Sequence, residues 1–597
     1  MPEGEHLLLL SMPTPVALAQ SCEAAIARLQ SATQTILTLH SPRTFWTVTL
    51  PLETAMSDAR DALAIDRFAR SVAADANVRD ASEHCDAETS DEIASLEAQP
   101  ALYDAVRAAA RSNTARTDVQ RELNRAWLET LRRAGADVHP AYRAEFVALE
   151  SELRDLQASY ARNLARDDSR IVLGRRQLGG IPHELLASFT RERGDYVVPV
   201  NDATASFLTY ATDPGARRAY WMAYENRAWR ANVPIFERTL AVRDRLSHLL
   251  GYESWADYRL AGTMAASPAR VDKFLSGAID ALRVPADAER ERMRAAIATQ
   301  ERSGDATLQP WDVAHAQYLL RRKVADATQP TVDSALNVAR AIVGIDFKLI
   351  DTPDAWAPGV IGYEVRDLLG TAPIGYAYFD LDPRPGRAAG FETFTLETAR
   401  VVAGVRRPPV TAIVGSGSDV GAFFRAFGRE LAALLAASPY ETLNQDVPRD
   451  FRAVPARVFE TFAQVPPPDA YQTTQMLALA TLDLRYHTSG DRIDSTALWA
   501  QEAEAVASLP FAPGTHPTAS FRALMDGSDA ALYVSPWSQA YAQDLATAFS
   551  SASEATVGMR FREAILAPAG SEDPQAEIRS FLGRPPSATP FYREFTP

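Results

Sequence analysis

Cysteine and histidine are scarce in this chain, with two of the former and nine of the latter in 597 residues. Cys22 and Cys85 are too few for a disulfide framework or a Cys-based zinc site. Long apolar runs are absent too, since none approaches the ~18 residues that a membrane helix needs. Blocks rich in Lys and Arg are also missing, and 61 basic residues stand against 76 acidic ones, a net charge of −15. A protein that neutralises phosphates needs a basic face, so neither nucleic acid nor membrane is expected as a partner. There is no fixed-period repeat and no low-complexity tract. Leu7 to Leu10, followed by Ser11 to Ala19, loosely imitates a secretion signal with an Ala-x-Ala end. The residues before it, Met1 to His6, are acidic, and Pro13 and Pro15 interrupt the apolar stretch. The cytoplasm is therefore the expected location.

What is present is ordinary for a globular protein, with 47% hydrophobic and 23% charged residues. The length suggests two to four domains, or one large two-lobed body. Helical periodicity dominates. Apolar residues recur at three- and four-residue spacing through 140–167 (Phe146, Leu149, Leu153, Leu156, Tyr160, Leu164), and again through 217–250, 268–298 and 316–343. Strand-like segments gather in 195–200 and in 360–414, where Tyr363–Arg366, Ile374–Leu381 and Val410–Val414 alternate or are β-branched. The expected picture is a mainly helical body with one small sheet within about 345–415.

Val410–Val414 followed by Gly415-Ser416-Gly417-Ser418-Asp419 imitates a dinucleotide-binding turn, but the spacing is off by one and no βαβ alternation follows. It reads as a turn in which Ser418 or Asp419 caps the next helix. On that helix Arg425 and Arg429 lie one turn apart, a like-charge pair flanked by Phe423, Phe424, Phe427, Leu431 and Leu434. Such a pair calls for an anion or open solvent. Tyr533, Trp537 and Tyr541 form a stripe that is more often core than binding site. His84-Cys85 has no partners nearby in the sequence and reads as incidental surface, and His183-Glu184 lacks the second His of a metal motif.

Several longer segments carry a family likeness: Gln99–Tyr103, Arg217–Trp221 with Asn226-Arg227, Leu250–Tyr258, Leu308–Asp312, Asp380–Arg384, Gly558–Arg562 and Phe581–Ser587. Together, in this order, they resemble the thimet oligopeptidase and neurolysin family of zinc metallopeptidases, which includes bacterial oligopeptidase A and peptidyl-dipeptidase. The resemblance spans nearly the whole chain. It implies a mainly α, two-lobed, zincin-related fold with a deep central channel. It also implies discontinuous lobes, with 1–150 and 330–405 in one. The other would hold 151–329 and 406–597, including the former zinc-motif helix at 419–437 and the C-terminal substrate-binding region.

The family's centre is H-E-F-G-H on a helix, where two histidines hold zinc and the glutamate activates water. Here the aligned residues are Arg425-Ala426-Phe427-Gly428-Arg429. The third ligand, a Glu in the family, is Ala453, although Glu460 keeps a family glutamate seven residues on. The family's substrate-polarising His is Ala523, and tyrosine positions are Ser528, Leu532 and Ser535, while Tyr533 and Trp537 keep their type. None of His6, His40, His84, His139, His183, His248, His315, His487 or His516 falls at a zinc position. No zinc and no family-type hydrolysis are expected.

Three readings follow. In the first, the body of a peptidase binds a peptide or peptide-like ligand, with Arg425 and Arg429, joined by Arg452 and Arg457, receiving a carboxylate. Its bland counterpart pairs these arginines internally with Glu430, Asp450 or Glu460. In the second, the site runs metal-free chemistry on a peptide-like substrate, as in natural-product tailoring, with Glu460, Asp450, Tyr533 and Arg429 as acid, base or anion-binding groups. In the third, the chain is a regulatory subunit of an active relative. Trp537 completes the candidate ligand-binding set.

Overall fold

The computed structural model describes residues 12–302, 307–321, 332–351, 353–383, 390–463, 465, 469–490, 492–506, 508, 510–549 and 554–595. The start of the leader-like segment, up to residue 11, lies outside the described residues, as does His6. The principal helices are α1 (Pro15–Leu37), α2 (Leu50–Val72), α3 (Ala76–Glu97), α4 (Pro100–Arg111), α5 (Asp118–Arg133), α6 (Arg143–Ala165), α7 (Trp229–Leu249), α8 (Pro268–Glu301), α9 (Val420–Leu435), α10 (Arg449–Thr461), α11 (Ala470–Tyr486) and α12 (Val534–Ala546). The strands are β1 (Arg170–Leu173), β2 (Thr190–Glu192), β3 (Asp195–Pro199), β4 (Ile345–Leu349), β5 (Ile361–Asp367), β6 (Pro373–Asp380), β7 (Gly390–Glu397), β8 (Arg400–Val402), β9 (Val405–Arg407) and β10 (Val410–Ser416). No helix among the described residues is long and apolar enough to cross a membrane.

The fold is mainly helical, as expected, but the single expected sheet is accompanied by two others. A five-stranded sheet runs β4-β5-β6-β10-β7, and a three-stranded sheet β1-β3-β2 and a hairpin β8-β9 stand apart from it. In the five-stranded sheet only β6 and β10 are parallel, which requires the intervening β7–β9 excursion. Short strands with mostly polar or exposed residues, such as Thr190–Glu192, carry too little alternation to stand out in a sequence. The periodic stretch 217–250 is two helices, Pro214–Tyr224 and α7, because Ala228 breaks it with a left-handed backbone at φ 53°.

The chain divides into two compact units. One takes Met1–His139, Ala327–Pro466 and Ser538–Phe591, and the other Pro140–Asp326, Pro467–Trp537 and Tyr592–Pro597. These limits differ from the expected lobes, most of all in placing α9 with the N-terminal helices. The reason is packing on the sheet. Phe423, Phe427, Leu431 and Leu434 of α9 are fully buried, α9 lies on β7 and β10, and Thr393 Oγ1 of β7 donates to the Ala426 carbonyl at 2.8 Å. Burying four such side chains is worth roughly 1.5–3 kcal/mol each. That far outweighs the few tenths lost to the like-charged Arg425 and Arg429, so the sheet holds the helix.

In the first unit α1, α2 and α3 pack together, and Cys22 of α1 is disulfide-bonded to Cys85 of α3 with Cα atoms 5.9 Å apart. The reading of Cys85 as incidental surface is corrected here. It is buried, while its neighbour His84 is exposed and 3.2 Å from Glu88. In the second unit the segments that carry the family likeness do structural work. Arg217 is wholly buried and donates to Asp312 at 2.7 Å, and Trp255 Nε1 donates to Asp529 at 2.6 Å. In the first unit Arg584 holds Asp544 at 2.6 Å, and the Ser587 amide donates to the same carboxylate. Buried charges persist only where paired, so these positions tie each unit together independently of any chemistry at a site.

Candidate functional site

The helix α9, which carries the candidate residues Arg425 and Arg429, begins where the sequence pattern places it. Asp419, not Ser418, is the N-cap and accepts a 2.8 Å bond from the Ala422 amide. It crosses α10 at close range, because a Cβ added to Gly428 would sit 2.7 Å from Ala456 Cα and 3.0 Å from Phe459 Cβ. Only glycine lets the two backbones approach this far. The approach brings the candidate residues of the two helices together.

Their charges are not shared evenly. Glu460 on α10 accepts from Arg425 of α9 and, at 2.8 Å, from Arg457. Internal pairing is thus the fate of these two arginines, with Glu460 as the partner. Glu430 turns the other way, into the sheet, and accepts from Thr411 Oγ1 at 3.1 Å. It is fully buried, and burial pushes its carboxyl up to about 8. Asp450 is also fully buried in the first turn of α10. Arg429 makes no hydrogen bond or ion pair with any of the described residues and is exposed. Partial desolvation and the nearby Arg425 and Arg457 depress its pKa, and Glu392 acts the opposite way. Arg452 donates to one main-chain carbonyl, Val447, at 3.0 Å and has no carboxylate partner among the described residues.

Arg429 and Arg452 both line a cavity of about 820 Å³ that lies wholly within the first unit. Its walls come from α2, α3, β7, α9 and α10, and they add Arg60, Arg67, Arg70, Glu97 and Glu392, interspersed with apolar groups such as Leu63, Ile93, Phe394 and Leu566. Arg67 and Arg70 share Asp86 at 2.9 and 3.2 Å. Arg60 lies 4.0 Å from Glu97 and donates to Thr442. Burial pushes Glu97 up to about 7, opposed by Arg60 and reinforced by Asp446. Five arginines against two lining carboxylates make this a cationic cavity of a size suited to a small ligand. The arginines of α2 were missed in the sequence, although 60, 67 and 70 share one helix face at spacings of seven and three.

Tyr533 and Trp537 are not part of this cavity. They are buried in the second unit, with ring centres 5.8 Å apart, and Phe274 stacks edge-on to Trp537 at 5.1 Å. They are core, as the plain reading of such a stripe holds. The segment around Ala523 and Ser528 sits in a clamped loop. The Ser528 amide donates to the Ala523 carbonyl. Asp483 accepts from the Ala530, Ala531 and Leu532 amides at 2.8–3.0 Å, and Asp529 faces Arg243 and Arg259 at 3.4 and 3.1 Å.

The residues that the resemblance aligns with the family's zinc ligands do not fit zinc. A protonated guanidinium has no lone pair to give, Ala426 and Ala453 offer no ligand atom, and the one carboxylate, Glu460, is held by two arginines. Among the described residues the cluster of candidate metal-binding side chains is elsewhere, at Cys22, Asp66 and Cys85, and the disulfide leaves no thiolate there.

Residues 207–468 and 463–597 match the family described as Peptidase family M3. Among curated proteins, the chain is 23% identical over 519 residues to a probable thimet oligopeptidase of Arabidopsis thaliana, covering 76% of this chain and 72% of that one. It is 26% identical over 532 residues to the dipeptidyl carboxypeptidase of Escherichia coli (strain K12), covering 76% and 77%. Among solved structures, PZ peptidase A with inhibitor 2 superposes with a TM-score of 0.58 at 11% identity over 98% of this chain and 96% of that one. An M32 carboxypeptidase from Deinococcus radiodurans R1 gives 0.54 at 11% over 95% and 97%. At such identity these two likenesses speak for the fold alone.

Proposed function

The chain belongs to peptidase family M3, and from that premise we propose that it is a metal-free member that binds an anionic, peptide-like ligand instead of hydrolysing peptides with zinc. The observation that carries the reading is Arg429, at the position of a family zinc ligand. It faces a cavity of about 820 Å³ with no partner among the described residues. Its guanidinium is exposed to the cavity and open to an anion that a ligand would supply. A carboxylate is the group that a planar guanidinium matches best. Arg425 and Arg457, expected to share this role, are occupied by Glu460 and serve to hold α9 against α10.

Metal-free catalysis by the residues first considered has less to stand on. Glu460 already accepts from two guanidiniums, and Tyr533 is buried in the second unit. For location, the cytoplasm is set against the Cys22–Cys85 disulfide, a cross-link that persists in oxidising compartments and is rare in the cytosol. We place the protein in an oxidising compartment, and two free thiols in protein taken from its own cells would overturn this.

The test of function has two arms. Metal analysis of the purified chain is expected to find no stoichiometric zinc. Calorimetric titration of a short peptide with a free C-terminus is expected to show binding that is lost on amidation and in Arg429→Ala. Equal affinity for both peptides in both proteins would sink the carboxylate reading.

A further inference from the structure

We propose that the reduced chain holds one zinc ion on Cys22, Asp66 and Cys85, so that a disulfide and a metal are alternative clasps on the N-terminal helices. The two sulfurs and an Asp66 carboxylate oxygen lie within 4.8 Å of one another. Each ligand comes from a different helix, Cys22 from α1, Asp66 from α2 and Cys85 from α3, and the three helices pack together. Asp66 is the side chain that points to an ion. It is 3% exposed, and among the described residues its carboxylate accepts no hydrogen bond and meets no cation. Buried acids are costly without a partner, and the bonded sulfurs beside Asp66 supply none. The charge that acts on it, Asp86, has the same sign.

Two thiolates and one carboxylate suit zinc better than calcium or magnesium, which take oxygen ligands. Zn–S bonds of about 2.3 Å and Zn–O bonds of about 2.1 Å set tetrahedral ligand atoms roughly 3.5–3.8 Å apart. The carboxylate oxygen stands within about 1 Å of that spacing. Cα atoms 5.9 Å apart let both sulfurs reach one ion by side-chain rotation. The fourth position falls to water or to the buried Thr89 hydroxyl, 3.3 Å from Cys22 Sγ. A dithiol reductant opens the site. Two electrons pass to the S–S bond, which breaks, while the dithiol closes to its own disulfide and its two protons go to Cys22 and Cys85. Zinc then displaces those protons to solvent and binds two thiolates. Through Asp66 the ion ties α2 to α1 and α3, which the disulfide alone does not do.

The experiment compares the full chain in its oxidised form with the same chain reduced by dithiothreitol and freed of it without oxygen. Zinc is titrated by calorimetry, and cobalt(II) serves as a spectroscopic probe. The reduced wild type is expected to bind one zinc and to show thiolate-to-cobalt charge-transfer absorption. The oxidised chain should do neither, in keeping with the metal-free function. Losing an outer-shell partner already weakens a metal site about 10–100-fold, so Asp66→Ala should weaken zinc binding by the reduced chain at least tenfold. Cys22→Ser with Cys85→Ser should abolish it. Zinc should raise the thermal midpoint of the reduced chain and not of the oxidised one. If reduction unfolds the chain, zinc should restore its circular dichroism. A reduced chain whose two thiols are free, yet which takes up neither ion or is not refolded by zinc, would overturn the proposal. Equal zinc affinity in Asp66→Ala would overturn the three-ligand site. Zinc bound equally by the oxidised chain would place the metal elsewhere and count against the metal-free function as well, whereas failure of peptide binding bears on that function alone.

Discussion

The guanidinium of Arg425 donates to the carboxylate of Glu460 across the crossing of α9 and α10. Glu460 also takes Arg457 at 2.8 Å. One acidic side chain thus balances two cations, with all three side chains 18–28% exposed. Glu460→Gln removes the balance but leaves water able to reach the arginines. We expect a loss of about 1–2 kcal/mol in urea unfolding, within the range for charge-assisted bonds of partly exposed groups. A cost below a few tenths would mean that the triad is decorative.

Arg429→Ala should behave in the opposite way. The side chain has no bond to lose among the described residues and is pushed by Arg425 and Arg457. Stability is expected to be unchanged or to rise by a few tenths of a kcal/mol, as when a like-charge helix pair is relieved. Affinity for an anionic peptide should fall at least tenfold. Loss of binding without loss of stability marks a residue kept for a ligand. A destabilised variant would assign Arg429 to the fold.

Much of this arrangement was legible in the residues, and what was not has a common cause. The helix over α8, the strand at Val410 and the cap at Asp419 follow from local periodicity and cap chemistry. What pairs over a long separation did not show. Nothing local in Cys22 points to Cys85, nor in Arg425 to Glu460. The grouping of α9 with α2 and β7 depends on contacts such as Phe68 on Phe394, with ring centres 5.3 Å apart. Tyr533 and Trp537 keep the family's residue types but are buried in a core, because preserved identity does not say which way a ring points.

Glu430 makes stability depend on pH in a defined sense. Burial raises its carboxyl from an ordinary 4.5 to about 8. Between those values the folded chain therefore holds a proton that the unfolded chain has released. Stability falls as pH rises through this window and levels off above about 8. Glu430→Gln keeps the bond from Thr411 and cannot ionise. It is expected to raise stability at pH 8 by a few kcal/mol and to leave it nearly unchanged at pH 4.5. Parallel pH–stability curves for wild type and variant would refute this assignment.

The Cys22–Cys85 bridge closes a separation of 63 residues and spans α1 and α3 on either side of α2 in sequence. Cross-linking a loop of that length restricts the unfolded chain by about 4 kcal/mol in the chain-entropy account, and observed values run lower. Dithiothreitol, or the double substitution Cys22→Ser with Cys85→Ser, should lower the unfolding free energy by about 2–4 kcal/mol. The reductant should then have no further effect on the double variant. If reductant destabilised both proteins alike, its action would lie elsewhere.

Glu97 stands on the wall opposite in charge to Arg429, and its ionisation sets how cationic the cavity is. Burial is the larger influence and holds its carboxyl up to about 7, with Arg60 pulling it down and Asp446 pushing it up. Below that value the group is neutral and the arginines act on a ligand undiminished. Above it a carboxylate faces into the same space, beside Glu392, and weakens the attraction for an anion. Binding of a peptide carboxylate is therefore expected to lose several-fold in affinity between pH 6 and pH 8, where the peptide's own charge is constant. Glu97→Gln should abolish most of that dependence and bind at pH 8 about as wild type does at pH 6. A pH profile unchanged by Glu97→Gln would show that another group, outside the Arg60–Glu97–Asp446 set, controls the cavity.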